Sequence, residues 1–186
     1  MLRTLHLIKH GKPQIVPGVP AHEWELAEDA LDGLDALIAC LRPLPQLVVS
    51  SFEPKAQATA AALAAALSVP HRPMHGLHEQ LRYTSPFHMN QADFEAEMRS
   101  FFEHPAQIVS GEESADDART RFGNAVHAVL AANPQECIAV VAHGTVISSL
   151  VAHANGIDPW PLWRGLGLLD VVTVDVPGLR AREPMT

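Results

Sequence analysis

Two stretches decide the fold: "LHLIKHG" at residues 5–11 and "IAVVAHG" at residues 138–144. Each is mostly apolar, without strict alternation, and each stops at a His-Gly pair. Such runs are typical of strands that helices cover on both faces, as in parallel sheets. The two stretches therefore predict buried strands at Thr4–Ile8 and Ile138–Ala142 that end in the same dipeptide.

The rest of the chain alternates between strand and helix patterns. Further strands are predicted at Leu47–Ser50 and Leu169–Val176, with a short fifth strand at His71–Met74. The predicted helices are Glu28–Leu41, Pro54–Leu67, Gln91–Phe102, Ser114–Ala132 and Val146–Ala154. This alternation indicates one α/β domain over residues 1–186, with three α/β/α layers and a mostly parallel sheet. Residues 80–112 contain no convincing strand and are predicted to form an inserted cap or side element.

The composition limits the classes of function. A hydrophobic fraction of 47% is enough for a sizeable core, and a formal net charge of −8 without a basic stripe argues against nucleic-acid binding. No apolar run approaches the roughly 18 residues of a membrane span. Arg3, His6 and Lys9 interrupt the first apolar run, unlike a signal peptide. Cys40 and Cys137 lack metal or redox spacing and are interpreted as core thiols. We expect a cytoplasmic protein without membrane or nucleic-acid partners.

The carboxyl ends of the strands are where ligands bind in open α/β sheets. His10 and His143 lie at two such ends, and a glycine follows each, which would let a ligand approach the backbone. A single His-Gly pair is often only a strand-to-turn junction. Two pairs at equivalent ends favour a shared pocket.

The segment "SSFEPKAQATA", residues 50–60, adds a cation to this picture. Lys55 falls in a first helical turn, where the helix dipole disfavours a cation unless an anion is bound. The alternative is a solvated lysine on an exposed turn. Lys9 either reaches solvent or points its ammonium at the same anion. The helix after His143 begins near Thr145 and would add a second positive helix end. Together these features predict a cradle for a phosphate dianion.

These motifs resemble the histidine phosphatase, or phosphoglycerate-mutase-like, superfamily. "LIKHG" is similar to its LxRHG signature, "SSFEPKAQATA" to SSxxxRAxxTA, and "VVAHGTVIS" to SHGxVI. "LHE" at residues 77–79 resembles the short motif that carries the acid, and "GEES" at residues 111–114 resembles a GGES turn. The matches follow the family's order. Lys9 and Lys55 stand where the family has arginine, and a lysine holds phosphate as a point charge rather than with a planar fork.

The resemblance implies a role for each residue. Neutral His10 would attack phosphorus and form a phosphohistidine, and His143 would take part in catalysis beside it. Glu79 would protonate the leaving group and then activate water, with Glu53 and Glu113 as competing acids. The implied phosphate-binding residues are Lys9, Gly11, Lys55, His143, Gly144 and Thr145.

No cofactor or metal is expected. His71, His75 and His78 have a superficially metal-like spacing, but Pro73 and Gly76 prevent one continuous helix from presenting them together, which disfavours zinc.

The favoured function is a metal-independent phosphatase acting on a small-molecule phosphate ester. A weakened relative that binds a phosphorylated ligand or protein partner is the alternative, because of the two lysines. A phosphoglycerate mutase ranks last, since "KPQIVPGVPAHEW" replaces the asparagine-containing stretch of that branch. The tryptophans of "WPLWRGLGLLD" are predicted to pack on the core, although they could instead mediate a homodimer.

Overall fold

The computed structural model describes residues 2–182 and contains one six-stranded sheet. The strands are β1 (Arg3–Lys9), β2 (Val48–Ser50), β3 (His71–Pro73), β4 (Cys137–Ala142), β5 (Val171–Val176) and β6 (Arg180–Ala181). The helices are α1 (Leu34–Cys40), α2 (Pro54–Leu67), α3 (Gln91–Glu103), α4 (Ala115–Ala132), α5 (Gly144–Asn155) and α6 (Pro159–Gly165). The strand order is β3-β2-β4-β1-β5-β6. Pairs β1–β5 and β5–β6 are antiparallel and the other three are parallel, which confirms the predicted mostly parallel α/β sheet.

Helices cover both faces of the sheet. Successive side chains of a strand point to opposite faces, so each central strand contributes to two cores. Leu5 and Ile138 lie in the core that α4 and α5 cover, together with Phe122. Ile8 lies in the opposite core, which α1 and α2 cover, together with Leu63. The molecule therefore has the three layers that the sequence predicts.

Several element boundaries differ from the sequence-based predictions. The first helix begins at Leu34 rather than Glu28, because residues 28–33 form turns. Strand β5 begins at Val171 rather than at Leu169, where the sequence predicts its start. Leu169 has a left-handed backbone conformation with φ 58°, so it cannot form part of an extended strand. The fifth helix begins at Gly144 rather than Val146.

Three features were not predicted correctly. The short elements α6 and β6 had no counterpart in the sequence analysis. Cys137 is buried, whereas Cys40 is exposed at the end of α1, so the interpretation of Cys40 as a core thiol is wrong. The physical reason is that α1 turns Leu37 towards the sheet and leaves its last residue facing solvent.

The segment between β3 and α4 is built around one helix. Residues 80–112 contain turns and α3 but no strand, as expected from the sequence. The apolar face of α3 carries Phe101 and Phe102, and it packs against Trp160 and Trp163 of α6. These aromatic side chains anchor α3 to the body of the protein, as the sequence predicts for the tryptophans.

Within residues 2–182, no helix combines the length and apolar character that crossing a bilayer requires.

Candidate active site

The two His-Gly ends meet at one edge of the sheet. Strands β1 and β4 are parallel neighbours, with Lys9 opposite Ala142, and the His10 amide donates to the Ala142 carbonyl over 3.1 Å. His10 and His143 are therefore side by side, with ring centroids 5.1 Å apart in an edge-to-face arrangement. Both side chains are buried. The structure thus brings together the two histidines that the sequence placed in a shared pocket.

The His10 ring is held as one tautomer and is neutral. Its Nδ1 lies 2.7 Å from the Gly11 carbonyl oxygen, which can only accept a hydrogen bond. Nδ1 therefore carries the proton and Nε2 keeps a free lone pair. Burial, reinforced by the neighbouring His143, lowers the pKa of His10 to about 3. His10 is consequently a neutral imidazole with an unprotonated Nε2 at neutral pH.

Both glycines lie close to other parts of the protein, and Gly11 has no room for a side chain. A Cβ on Gly11 would lie 2.6 Å from the Ala30 carbonyl oxygen, and the Gly11 amide donates to Thr59 Oγ1 over 3.0 Å. A Cβ on Gly144 would approach the Lys9 side chain to 3.3 Å. The structure thus shows close protein neighbours at both glycines, and room for a ligand at these positions stays a prediction.

Both predicted lysines lie close to the second His-Gly pair, Lys9 against Gly144 and Lys55 through Glu53, and both already have protein partners. Lys55 is 5% exposed, so the alternative of a solvated lysine is wrong. Its Nζ donates to the Ala21 carbonyl over 2.6 Å and to Glu53 Oε2 over 2.5 Å. Lys9 Nζ donates to the Leu166 carbonyl over 2.8 Å, beside the start of α5. Burial lowers the pKa of Lys9, and nearby Glu79 opposes that effect.

Glu79 occupies the N-terminus of α5, where the sequence predicted a phosphate. Its Oε2 accepts from the Thr145 amide over 3.1 Å, and its Oε1 accepts from the amides of Val146 and Gln80. Burial raises the pKa of Glu79, and the backbone hydrogen bonds from Gln80 and Thr145 oppose that rise. The net direction favours the protonated carboxyl that a general acid needs.

Glu53 lies at the centre of the site, although the sequence suggested it only as a competing acid. Its Oε2 contacts Lys55, and its Oε1 accepts from the Glu79 amide over 2.8 Å. The same Oε1 is 3.3 Å from His143 Nε2. Neither His143 ring nitrogen makes a hydrogen bond within residues 2–182. Burial, with nearby Lys55 as the next cause, lowers the pKa of His143 well below its usual range, so this ring is also neutral.

An unpredicted arginine holds the loop that carries Glu79. Arg121 donates to the carbonyls of Gly76, His78 and Glu79, and its Nε and a terminal nitrogen grip the Glu113 carboxylate. Glu113 is thereby committed to an ion pair rather than free to act as an acid. A single arginine within an amphipathic helix belongs to no motif, so nothing in the sequence indicates this role.

The three histidines with metal-like spacing are separated. His71 Nε2 bonds to Ser50 Oγ over 2.8 Å, and His75 stacks on Phe52 with centroids 4.2 Å apart. His78 lies half-buried in the loop before Glu79. In the described part of the chain, no three His, Cys, Asp or Glu side chains are placed to share a metal ion.

Aromatic side chains join two loops near Lys55. His22 meets Tyr83 with ring centroids 4.5 Å apart, and Trp24 meets Phe87 at 6.3 Å. These pairs connect the loop after β1 with the segment before α3. His22 directly follows Ala21, whose carbonyl accepts from Lys55. Tyr83 and Phe87 remain about half exposed. We call these four side chains the aromatic rim.

Comparison with known proteins identifies the class. The model of the histidine phosphatase superfamily (branch 1) matches residues 5–178. The chain therefore belongs to the histidine phosphatase superfamily, which confirms the resemblance seen in its motifs. A search of the curated proteins finds no match.

Solved structures agree with this assignment at the level of the fold. "Mycobacterial hydrolase 1" superposes with a TM-score of 0.76 at 22% identity, covering 98% of this chain and 96% of that one. A mycobacterial glucosyl-3-phosphoglycerate phosphatase gives 0.73 at 22% identity, with 98% and 97% covered. An Entamoeba histolytica phosphoserine phosphatase mutant, in complex with phosphoserine, gives 0.69 at 17% identity, with 91% and 89% covered.

Proposed function

We propose that this protein is a phosphatase that hydrolyses a small-molecule phosphate monoester through a phosphohistidine on His10. The observation that carries the proposal is the state of the His10 ring. It is buried and neutral, its Nδ1 proton is fixed by the Gly11 carbonyl, and its Nε2 lone pair is free. Membership of the histidine phosphatase superfamily supports the same assignment.

The reaction then has two displacement steps at phosphorus. In the first, His10 Nε2 attacks, an N–P bond forms and the P–O bond to the alcohol breaks. In the second, water attacks phosphorus, the N–P bond breaks and inorganic phosphate leaves. The nucleophile is ready without proton removal, because Nε2 is already unprotonated.

Positive charge for the phosphoryl oxygens comes from the groups around His10. Lys9 and Lys55 bind the oxygens with the N–H groups that their protein partners leave free. Gly144 and Thr145 begin α5, whose dipole attracts an anion, and the phosphate shares this helix end with Glu79, which already accepts from the Thr145 amide. A dianion beside His143 favours the protonated form of that ring. These side chains and the helix end supply the charge that the mechanism requires, with no metal or cofactor invoked.

Glu79 is the proposed general acid. Burial favours its protonated form, and it lies against the first turn of α5, next to the proposed phosphate position. We expect Glu79→Gln to slow hydrolysis of an alkyl phosphate at least about 100-fold, and to slow a nitrophenyl phosphate far less, because that leaving group needs no proton. Equal losses for both substrates would remove Glu79 from this role.

The aromatic rim suggests the nature of the alcohol. The segment before α3 presents Tyr83 and Phe87, both about half exposed, near the loop whose Ala21 carbonyl accepts from Lys55. These side chains favour an ester with an apolar or aromatic portion. Comparing kcat/KM for phenyl, alkyl and sugar phosphates tests this preference.

One observation favours a second candidate, a catalytically weakened relative that binds a phosphorylated ligand. Both lysines already donate to backbone carbonyls, and Glu53 neutralises Lys55. These partners reduce the positive charge available to a phosphate, so Lys9 and Lys55 would bind it less strongly than two unpaired lysines would.

Turnover in the presence of a chelator separates the two candidates. The wild type, His10→Ala and His127→Ala are incubated with para-nitrophenyl phosphate and EDTA. His127 is an exposed histidine on α4 and serves as the matched control. The phosphatase proposal predicts product from the wild type and His127→Ala only. Phosphate binding without turnover in any of the three would favour the binding protein.

A further inference from the structure

We propose that Glu53 determines how tightly the site holds phosphate, because its carboxylate lies against Lys55 and His143, two of the groups that would bind the phosphate. The proposal rests on the proposed function for the identity of the ligand. It concerns a residue that positions Lys55 and His143 rather than one that reacts.

The contacts of Glu53 define this role. One carboxylate oxygen lies 2.5 Å from Lys55 Nζ, and the other lies 3.3 Å from His143 Nε2. The second oxygen also accepts from the Glu79 amide over 2.8 Å. Two groups that a phosphate would need, a lysine ammonium and an unbonded imidazole, therefore already face an internal anion.

The direction of the Glu53 side chain is not explained by its own helix. Glu53 is the N-cap residue of α2, yet its side chain makes no capping hydrogen bond there. It turns instead towards Lys55 and His143, and the residue is only 8% exposed. A carboxylate buried among the proposed phosphate ligands repels an incoming dianion strongly, because water does not screen it.

An incoming phosphate must therefore share Lys55 with Glu53 or displace Glu53 from it. A lysine offers three donors from one nitrogen, and Lys55 already uses two of them on Ala21 and Glu53. Removing the charge of Glu53 while keeping its shape weakens its hold on Lys55, because a neutral amide oxygen accepts less strongly than a carboxylate, and it removes the repulsion. Phosphate should then bind more tightly.

A purely structural role predicts the opposite result. If Glu53 served only to hold Lys55 in place, losing its charge would let the ammonium move away, and phosphate affinity would fall. The sign of the change therefore discriminates between the two roles.

The test is calorimetric titration with inorganic phosphate of the wild type, Glu53→Gln and Glu103→Gln. Glu103 is exposed on α3, pairs only with Arg99 among the described residues, and controls for the change in net charge. We expect Glu53→Gln to bind phosphate about tenfold more tightly or better, and Glu103→Gln to match the wild type. Unchanged or weaker binding by folded Glu53→Gln would overturn the proposal.

Steady-state kinetics give the second readout. KM for para-nitrophenyl phosphate and the inhibition constant of phosphate should fall together in Glu53→Gln, while kcat does not rise. Should Glu53→Gln not fold, Glu53→Met provides the same test, because it also removes the carboxylate and keeps an unbranched side chain of similar size. Tighter phosphate binding by Glu53→Met supports the proposal, and unchanged or weaker binding overturns it.

The titration does not depend on turnover. A wild type that hydrolyses no ester would count against the proposed function, whereas the phosphate affinities of the variants would still decide the role of Glu53.

Discussion

Replacing Arg121 with methionine should destabilise the protein and displace Glu79. The guanidinium makes five hydrogen bonds, two to the Glu113 carboxylate at 2.8 and 2.7 Å and three to the carbonyls of Gly76, His78 and Glu79. Methionine keeps the unbranched apolar stem of the side chain and removes every donor. Glu113 then remains buried without its counter-ion.

The size of the loss follows from burial. The side chains of Arg121 and Glu113 are 20% and 8% exposed. Removing one partner of a buried pair lowers the free energy of unfolding by about 3–5 kcal/mol. Because solvent partly reaches the guanidinium, we expect a loss of about 3 kcal/mol here. Domains of this kind have a total stability of about 5–15 kcal/mol, so the variant should fold with a clearly lowered midpoint.

Urea unfolding followed by tryptophan fluorescence measures this effect. Arg119→Met is the matched control on the same helix, since the Arg119–Asp116 pair is more exposed and should cost less than about 1 kcal/mol. Adding Glu113→Gln to Arg121→Met should restore part of the stability, because the stranded charge is removed. A loss for Arg121→Met no larger than that of Arg119→Met would refute the reasoning.

Two further predictions concern the same site. The pKa of His10 is about 3 in the folded protein and near the ordinary histidine value of about 6.5 in the unfolded chain, so protons bind preferentially to the unfolded state between these values. Stability should therefore fall as the pH drops below 6.5, by up to about 2 kcal/mol for this group between pH 7 and 5, and His10→Asn should flatten that slope in urea unfolding. Gly11→Ala places a Cβ 2.6 Å from the Ala30 carbonyl oxygen and should cost about 1–3 kcal/mol, whereas Gly165→Ala, with no atom within 4 Å of the added Cβ, should not destabilise. Equal unfolding midpoints for the two alanine variants would contradict the packing argument.

The fold and the pair of histidines were predictable because they follow from general rules. Apolar runs without alternation mark strands covered on both faces, and ligands bind at the carboxyl ends of such strands. Parallel neighbours then place His10 and His143 together. The α6 helix could also have been found, since Asp158 caps it and Pro159 begins it.

The detailed partners of the site were not predictable from the sequence. The motifs place Lys55 and Glu79 near a phosphate, but they do not show that Glu53 lies between Lys55 and His143. That arrangement depends on the direction of one side chain at a helix N-terminus. The support from Arg121 depends on contacts with residues more than forty positions away. Long-range side-chain pairing of this kind has no local signature.

The most direct test of the account is to trap the proposed intermediate. Glu79→Gln is mixed with para-nitrophenyl phosphate, stopped in denaturing alkali and mapped by peptide mass spectrometry. The account predicts an acid-labile, alkali-stable phosphate on the peptide that contains His10, and no such phosphate when His10 is also replaced by asparagine. Turnover of the ester with no phosphate on His10, or with phosphate on another residue, would contradict it.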